Sequence, residues 1–114
     1  EVIVDGIRLD SFVISKSIQE IDILWMDIQG SELMALKSLG NHIQKVNIIH
    51  TEGEFIDIYE NQPLFSDIKK YLKDEGFFFC GYTYKSEYFA NAVFVNNKLL
   101  SFIDKIRFFC MGLK

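Results

Sequence analysis

Little in this chain points to a metal, a membrane or a nucleic acid. Its two cysteines, Cys80 and Cys110, and its two histidines fall in no CxxC or Cys/His ligand spacing, so no metal centre is expected. A disulfide between the cysteines stays open as an alternative, but free thiols in a reducing, cytoplasmic setting suit so apolar a chain better. No apolar run reaches the roughly 18 residues of a membrane span, and no basic-then-apolar leader opens the chain. Basic residues number 12 against 16 acidic ones, for a net charge of −4. Outside Lys69, Lys70 and Lys73 they are dispersed, and phosphate backbones need clustered cations, so nucleic acid is excluded as the main partner. That lysine group reads as the solvated end of a helix. Repeats and low-complexity linkers are lacking too. No GxG turn follows any strand, and no acidic residue is placed to hold a ribose.

What is present is globular: 114 residues, 49% hydrophobic and 25% charged, enough for one domain with a real core. The chain begins at Glu1 rather than Met and runs almost at once into β-prone residues. That reads as a piece of a longer or processed protein.

One stretch organises the rest. Ile21–Met26 is a short apolar run of the kind that fits a strand covered on both faces, and it ends at Asp27. After a turn at Gln29-Gly30 the period changes to that of a helix, with Leu33, Met34, Leu36 and Leu39 on it and Gly40 as the stop. Ahead of it, Val2-Ile3-Val4 reads as a strand, and a brief helix from Leu9 takes Asp10 or Ser11 as cap and buries Phe12, Val13 and Ile18. Behind it, Val46–Thr51 reads as a second buried strand ending at Glu52-Gly53-Glu54. Pro63 suits the first position of a helix whose stripe is Leu64, Phe65, Ile68, Tyr71 and Leu72. Phe77–Tyr84 gives a third strand with a bulge at Gly81, and Ala92–Val95 a fourth. The tail from Leu99 to Met111, with Phe102, Ile103, Ile106 and Phe109 on one stripe, is expected to pack as an amphipathic helix rather than lie on a membrane. The order predicts an α/β domain with a parallel centre and antiparallel edge strands, the second half of a doubly wound sheet.

Asp27 and Glu52 thus stand at the carboxyl ends of what should be neighbouring parallel strands, where ligands sit in open α/β sheets. His50 shares the side-chain parity of Glu52. The plainer alternatives are that Asp27 caps its turn, that Glu54 works in place of Glu52 or both are solvated, and that His50 and Trp25 belong to the core.

These residues resemble the FkbM family of S-adenosylmethionine-dependent methyltransferases. The family motif, roughly L-K-I-D-V-E-G-A-E ahead of a leucine-rich helix, stands here as Leu24-Trp25-Met26-Asp27-Ile28-Gln29-Gly30-Ser31-Glu32-Leu33. Leu9-Asp10, Ile21-Asp22, Thr51-Glu52, the segment from Tyr59 through Gln62-Pro63-Leu64-Phe65, and Gly76-Phe77 also look like family positions. Trp25 replaces the usual Lys and Gln29 the usual Glu. The resemblance implies the carboxyl-terminal part of a Rossmann-like methyltransferase, a single domain over residues 1–114 without the amino-terminal half and its glycine-rich cofactor loop. It implies S-adenosylmethionine as cofactor, met by Asp27 and Gln29, and a sugar or other small-molecule hydroxyl as acceptor, oriented or deprotonated by Glu52 or His50. Alone, the chain is expected to be inactive and to expose a sheet edge that favours self-association. The competing reading is a non-catalytic interaction module derived from half of such a fold.

Overall fold

The computed structural model of the chain describes residues 1–110 and, within the last helix, side chains as far as Arg107. In order the elements are α1 (Leu9–Ser15), β1 (Ile21–Met26), α2 (Glu32–Ser38), a 3-10 turn (Gly40–Lys45), β2 (Val46–Glu54), α3 (Phe65–Asp74), β3 (Phe77–Lys85), β4 (Phe89–Asn96), a short turn (Asn97–Leu99) and α4 (Phe102–Cys110). The crossover through α2 lays β2 beside β1 in parallel, as a helical connection requires. After α3, the chain folds back at Ser86, whose Oγ accepts from the backbone N–H groups of Tyr88 and Phe89. This hairpin inserts β4 between β2 and β3, antiparallel to both, giving the sheet order β1-β2-β4-β3. The expected bulge is present: the register of β3 shifts between Phe79 and Gly81, where Gly81 takes φ +143°.

The core lies on one face of this sheet. Ile49 and its partner Phe94, with Ala92, pack against Leu36 of α2 and Phe65, Ile68 and Leu72 of α3. Strand β4 alternates buried and half-buried residues along its whole length, the pattern of a strand with a helix layer on one face only. Gly53 lets α3 approach: a Cβ there would meet Phe65 Cδ2 at 2.8 Å and the Phe65 backbone Cα at 3.3 Å. Gly53→Ala is therefore expected to destabilise the fold by about 1–3 kcal/mol, read as a lower urea midpoint at unchanged slope.

Several local expectations are corrected. Val2-Ile3-Val4 forms no strand and is 80–93% exposed, because β propensity without a paired edge does not make a strand. Helix α1 starts at Leu9 after Arg8, with no side-chain cap; Asp10 instead pairs with Arg8 at 3.0 Å. Phe12 turns outward while Val13 is buried. Pro63 precedes α3 by two residues, and the N–H of Leu64 donates to Asp67 Oδ2 at 2.8 Å. The apolar stripe of α4 leaves Phe102, Ile103 and Ile106 exposed, while Lys105 Nζ lies 5.9 Å from the Phe78 ring centroid. The expected tail residues Phe109 and Met111 lie outside the described side chains, as does the thiol of Cys110. No helix among the described residues is long and apolar enough to cross a membrane.

Candidate active site

Parallel pairing aligns Trp25 with His50 and Met26 with Thr51, so the next residues, Asp27 and Glu52, leave the two strands side by side at one rim. Asp27 is exposed just past the end of β1, and Glu52 is buried within β2, which runs on to Glu54. The Glu52 carboxyl is pushed above its ordinary range, first by burial and next by the negative charge of Asp27.

The loop after Asp27 is held from beneath. Gln29 (φ +56°) and Gly30 (φ +96°) are successive left-handed residues, a conformation that leaves backbone N–H groups pointing inward. Glu32, the first residue of α2 and 1% exposed, takes up two of them: Ile28 N–H donates to Oε1 and Gly30 N–H to Oε2, each at 2.9 Å. Sequence reasoning placed Glu32 in a motif but gave it no role. The available signal was an acid in the first helical turn directly after a left-handed glycine turn. Gln29 donates from Nε2 to Asp27 Oδ1 at 3.0 Å. A glutamate at this position would set a second anion against Asp27, so the carboxamide steadies the acid that a carboxylate would repel.

A second layer closes behind this loop. Gln62 Oε1 accepts from the N–H groups of Ile58 and Tyr59 at 3.3 and 3.1 Å, which orients its Nε2 toward Gly30, where a Cβ would stand 2.7 Å away. Glu54 is 4% exposed, and Glu54 Oε2 and Gln62 Nε2 each lack a hydrogen bond of full geometry. Burial, then the nearby charge of Glu32, push the Glu54 carboxyl up, with the Gln62 amide opposing.

His50 sits one pair inside the rim. Its Nε2 lies 2.9 Å from Thr83 Oγ1, whose hydroxyl donates to the Asn91 carbonyl; Nε2–H is then the donor and Nδ1 a buried acceptor without a partner. Burial lowers the His50 pKa, which favours the neutral ring. Trp25 does not join the core: it is 70% exposed and stacks on His50 with ring centroids 4.0 Å apart and planes tilted by 31°. Strand β1 is an edge strand, and this face of it has no covering helix among the described residues to bury the indole. Cys80 is a buried free thiol pushed up to about 11, and so inert. Among the described residues no three His, Cys, Asp or Glu side chains are grouped to hold a metal ion.

The sequence model of the methyltransferase FkbM domain matches residues 1–79, which span α1 through α3 and include the whole rim. The chain belongs to the FkbM methyltransferase family. A relative named 2-O-methyltransferase NoeI, from Sinorhizobium fredii (strain NBRC 101917 / NGR234), is 33% identical over 55 residues, which cover 48% of this chain and 23% of the relative. The chain thus covers less than a quarter of that relative's length. No solved structure matches the chain significantly.

FkbM membership implies a methyl donor. Neither ion pair among the described residues neutralises Asp27, Glu52 or Glu54. The raised carboxyls also fix a pH dependence. Their folded-state pKa values exceed those of the unfolded chain, so their contribution is fully present below the ordinary glutamate range and is lost as pH rises through the folded values. Thermal stability should fall from acidic to neutral pH from this source, and Glu54→Gln should raise the midpoint at neutral pH and flatten the slope. A variant that melts lower at both pH values would contradict a strained Glu54 carboxylate.

Proposed function

We propose that this chain is the carboxyl-terminal part of an S-adenosylmethionine-dependent O-methyltransferase acting on a sugar or small-molecule hydroxyl. The observation that carries the reading is the delivery of Asp27 and Glu52 to one rim by adjacent parallel strands. The sheet order, with a parallel pair followed by an inserted antiparallel strand, is compatible with the second half of a doubly wound Rossmann-like sheet. The name of the relative, a 2-O-methyltransferase, supports oxygen as the accepting atom.

S-adenosylmethionine supplies an electrophilic methyl group on a sulfonium. Asp27, steadied by Gln29, would hold that positive region and the acceptor against each other at the mouth of β1. Glu52 would take the proton of the acceptor hydroxyl; the donor, when bound, supplies the methyl group with cleavage of its carbon–sulfur bond and leaves as a neutral thioether. A carboxylate whose pKa is raised by burial and by Asp27 is a stronger base than a free one, the direction this task requires. His50, neutral and anchored on Thr83, orients the strand face beneath and is the second candidate base. Since positioning supplies much of the rate of a displacement, the stiff loop built by Glu32 is part of the machinery.

The chain by itself is read as inactive, because no glycine-rich turn follows β1 or β2 to cradle a cofactor. The test is transfer of a labelled methyl group by the full-length protein to a panel of neutral hydroxyl acceptors. Label recovered as a methyl ether supports the reading; label recovered only on nitrogen or on carboxyl groups overturns it.

A further inference from the structure

Gln62 is buried although the residues just before it in the loop, 56–61, are all exposed. Local backbone chemistry decides where its side chain goes. Asn61 takes φ +59° in a turn whose Gln62 N–H donates to the Tyr59 carbonyl at 3.1 Å. Pro63 restricts the residue before it to extended backbone. The carboxamide is then held at its oxygen end, where Oε1 accepts from the N–H groups of Ile58 and Tyr59. Only the Nε2 end points away from its own loop.

That end meets the turn after β1. A Cβ on Gly30 would stand 2.7 Å from Gln62 Nε2, 3.1 Å from Cδ and 3.3 Å from Cγ, so the amide leaves no room between loop and turn. The turn cannot drift from it, because Gly30 N–H is itself bonded to the buried Glu32. The same amide acts on Glu54 at the end of β2, opposing the burial and the Glu32 charge that push this carboxyl up. Gln62 thus reaches the chain three residues after Asp27 and two residues after Glu52. Both segments that carry the paired acids rest on one side chain.

We infer that Gln62 is a positioning residue, whose carboxamide ties the loop after β2 to the turn after β1 and so fixes Asp27 relative to Glu52. Its purpose in methyl transfer rests on the proposed function; the tie itself does not.

Gln62→Met keeps the length of the side chain and removes both its acceptor and its donor. In the full-length protein without ligands, hydrogen exchange read by mass spectrometry should quicken about tenfold at residues 57–60 and also at 28–31, with the β3–β4 hairpin unchanged. Faster exchange at 57–60 alone, or in the hairpin as well, would overturn the inference. Gly30→Ala gives an independent measurement. The amide can retreat from the new methyl group only by releasing Ile58 and Tyr59, so Gly30→Ala should lower the urea midpoint more in the parent than in a Gln62→Ala background. Equal drops would overturn it too.

Where the parent transfers labelled methyl groups from S-adenosylmethionine to a hydroxyl acceptor, Gln62→Met should lower turnover about 10- to 100-fold. It should also move the acid limb of the pH profile to lower pH, because Glu52 loses part of the field of Asp27, Glu54 and Glu32 that raises it. Loss of folded protein would scale the profile without moving it, and an unmoved limb counts against the inference. A parent that transfers no methyl group sinks the transferase reading, while exchange and the Gly30 comparison still decide whether the tie exists.

Discussion

Replacing Glu32 with alanine should destabilise the fold by about 3–5 kcal/mol, since each hydrogen bond to a charged group contributes about 1.5–3 kcal/mol. Both carboxylate oxygens are spent on backbone N–H groups of a left-handed turn, and the side chain is almost completely buried. Alanine leaves Ile28 N–H and Gly30 N–H without their acceptors in a part-buried turn. Turning them toward water loosens the turn that follows Asp27. Glu32→Gln keeps one oxygen and presents an NH₂ group to the other donor, so about half the loss is expected. Urea unfolding of the two variants separates this role from a general charge effect. Equal losses would mean that charge, not the paired acceptors, matters.

Replacing Asp27 with asparagine in the full-length protein should lower turnover by about 100- to 1,000-fold while leaving stability nearly unchanged. The side chain is exposed, the substitution keeps its shape, and the asparagine oxygen can still accept from Gln29 Nε2. What is removed is the negative charge beside Glu52. On the proposed function two effects add: the rim loses the anion proposed to face the methyl donor, and Glu52 loses a neighbour that raises its basicity. Near-wild-type turnover would reduce Asp27 to a turn residue.

Much of this arrangement is legible in the sequence because it is local. The change from a strand run to helical period at Asp27 gives β1, its turn and α2, and a crossover helix forces β2 to run parallel to β1, which is enough to bring Asp27 and Glu52 together. The Gly81 bulge is likewise a local signal. What the sequence hides is decided by neighbours. Val2–Val4 has the composition of a strand, but it pairs with no strand of the sheet. Trp25 reads as core because it lies inside the run Ile21–Met26, apolar but for Asp22, and only the sheet order shows that its strand is an edge with one face open. Glu32 stands in the motif without a role that the sequence assigns; its burial follows from the left-handed backbone of Gln29 and Gly30, which turns two N–H groups toward it.

A double-mutant cycle on methyl transfer, using Asp27→Asn and Glu52→Gln in the full-length protein, addresses the shared rim most directly. If the two carboxyls act as one unit, the double variant should be little slower than the slower single variant, as residues of one catalytic group behave. Losses that multiply independently, or a Glu52→Gln protein that turns over as fast as the parent, would show that the parallel pair brings these acids together without making them work together.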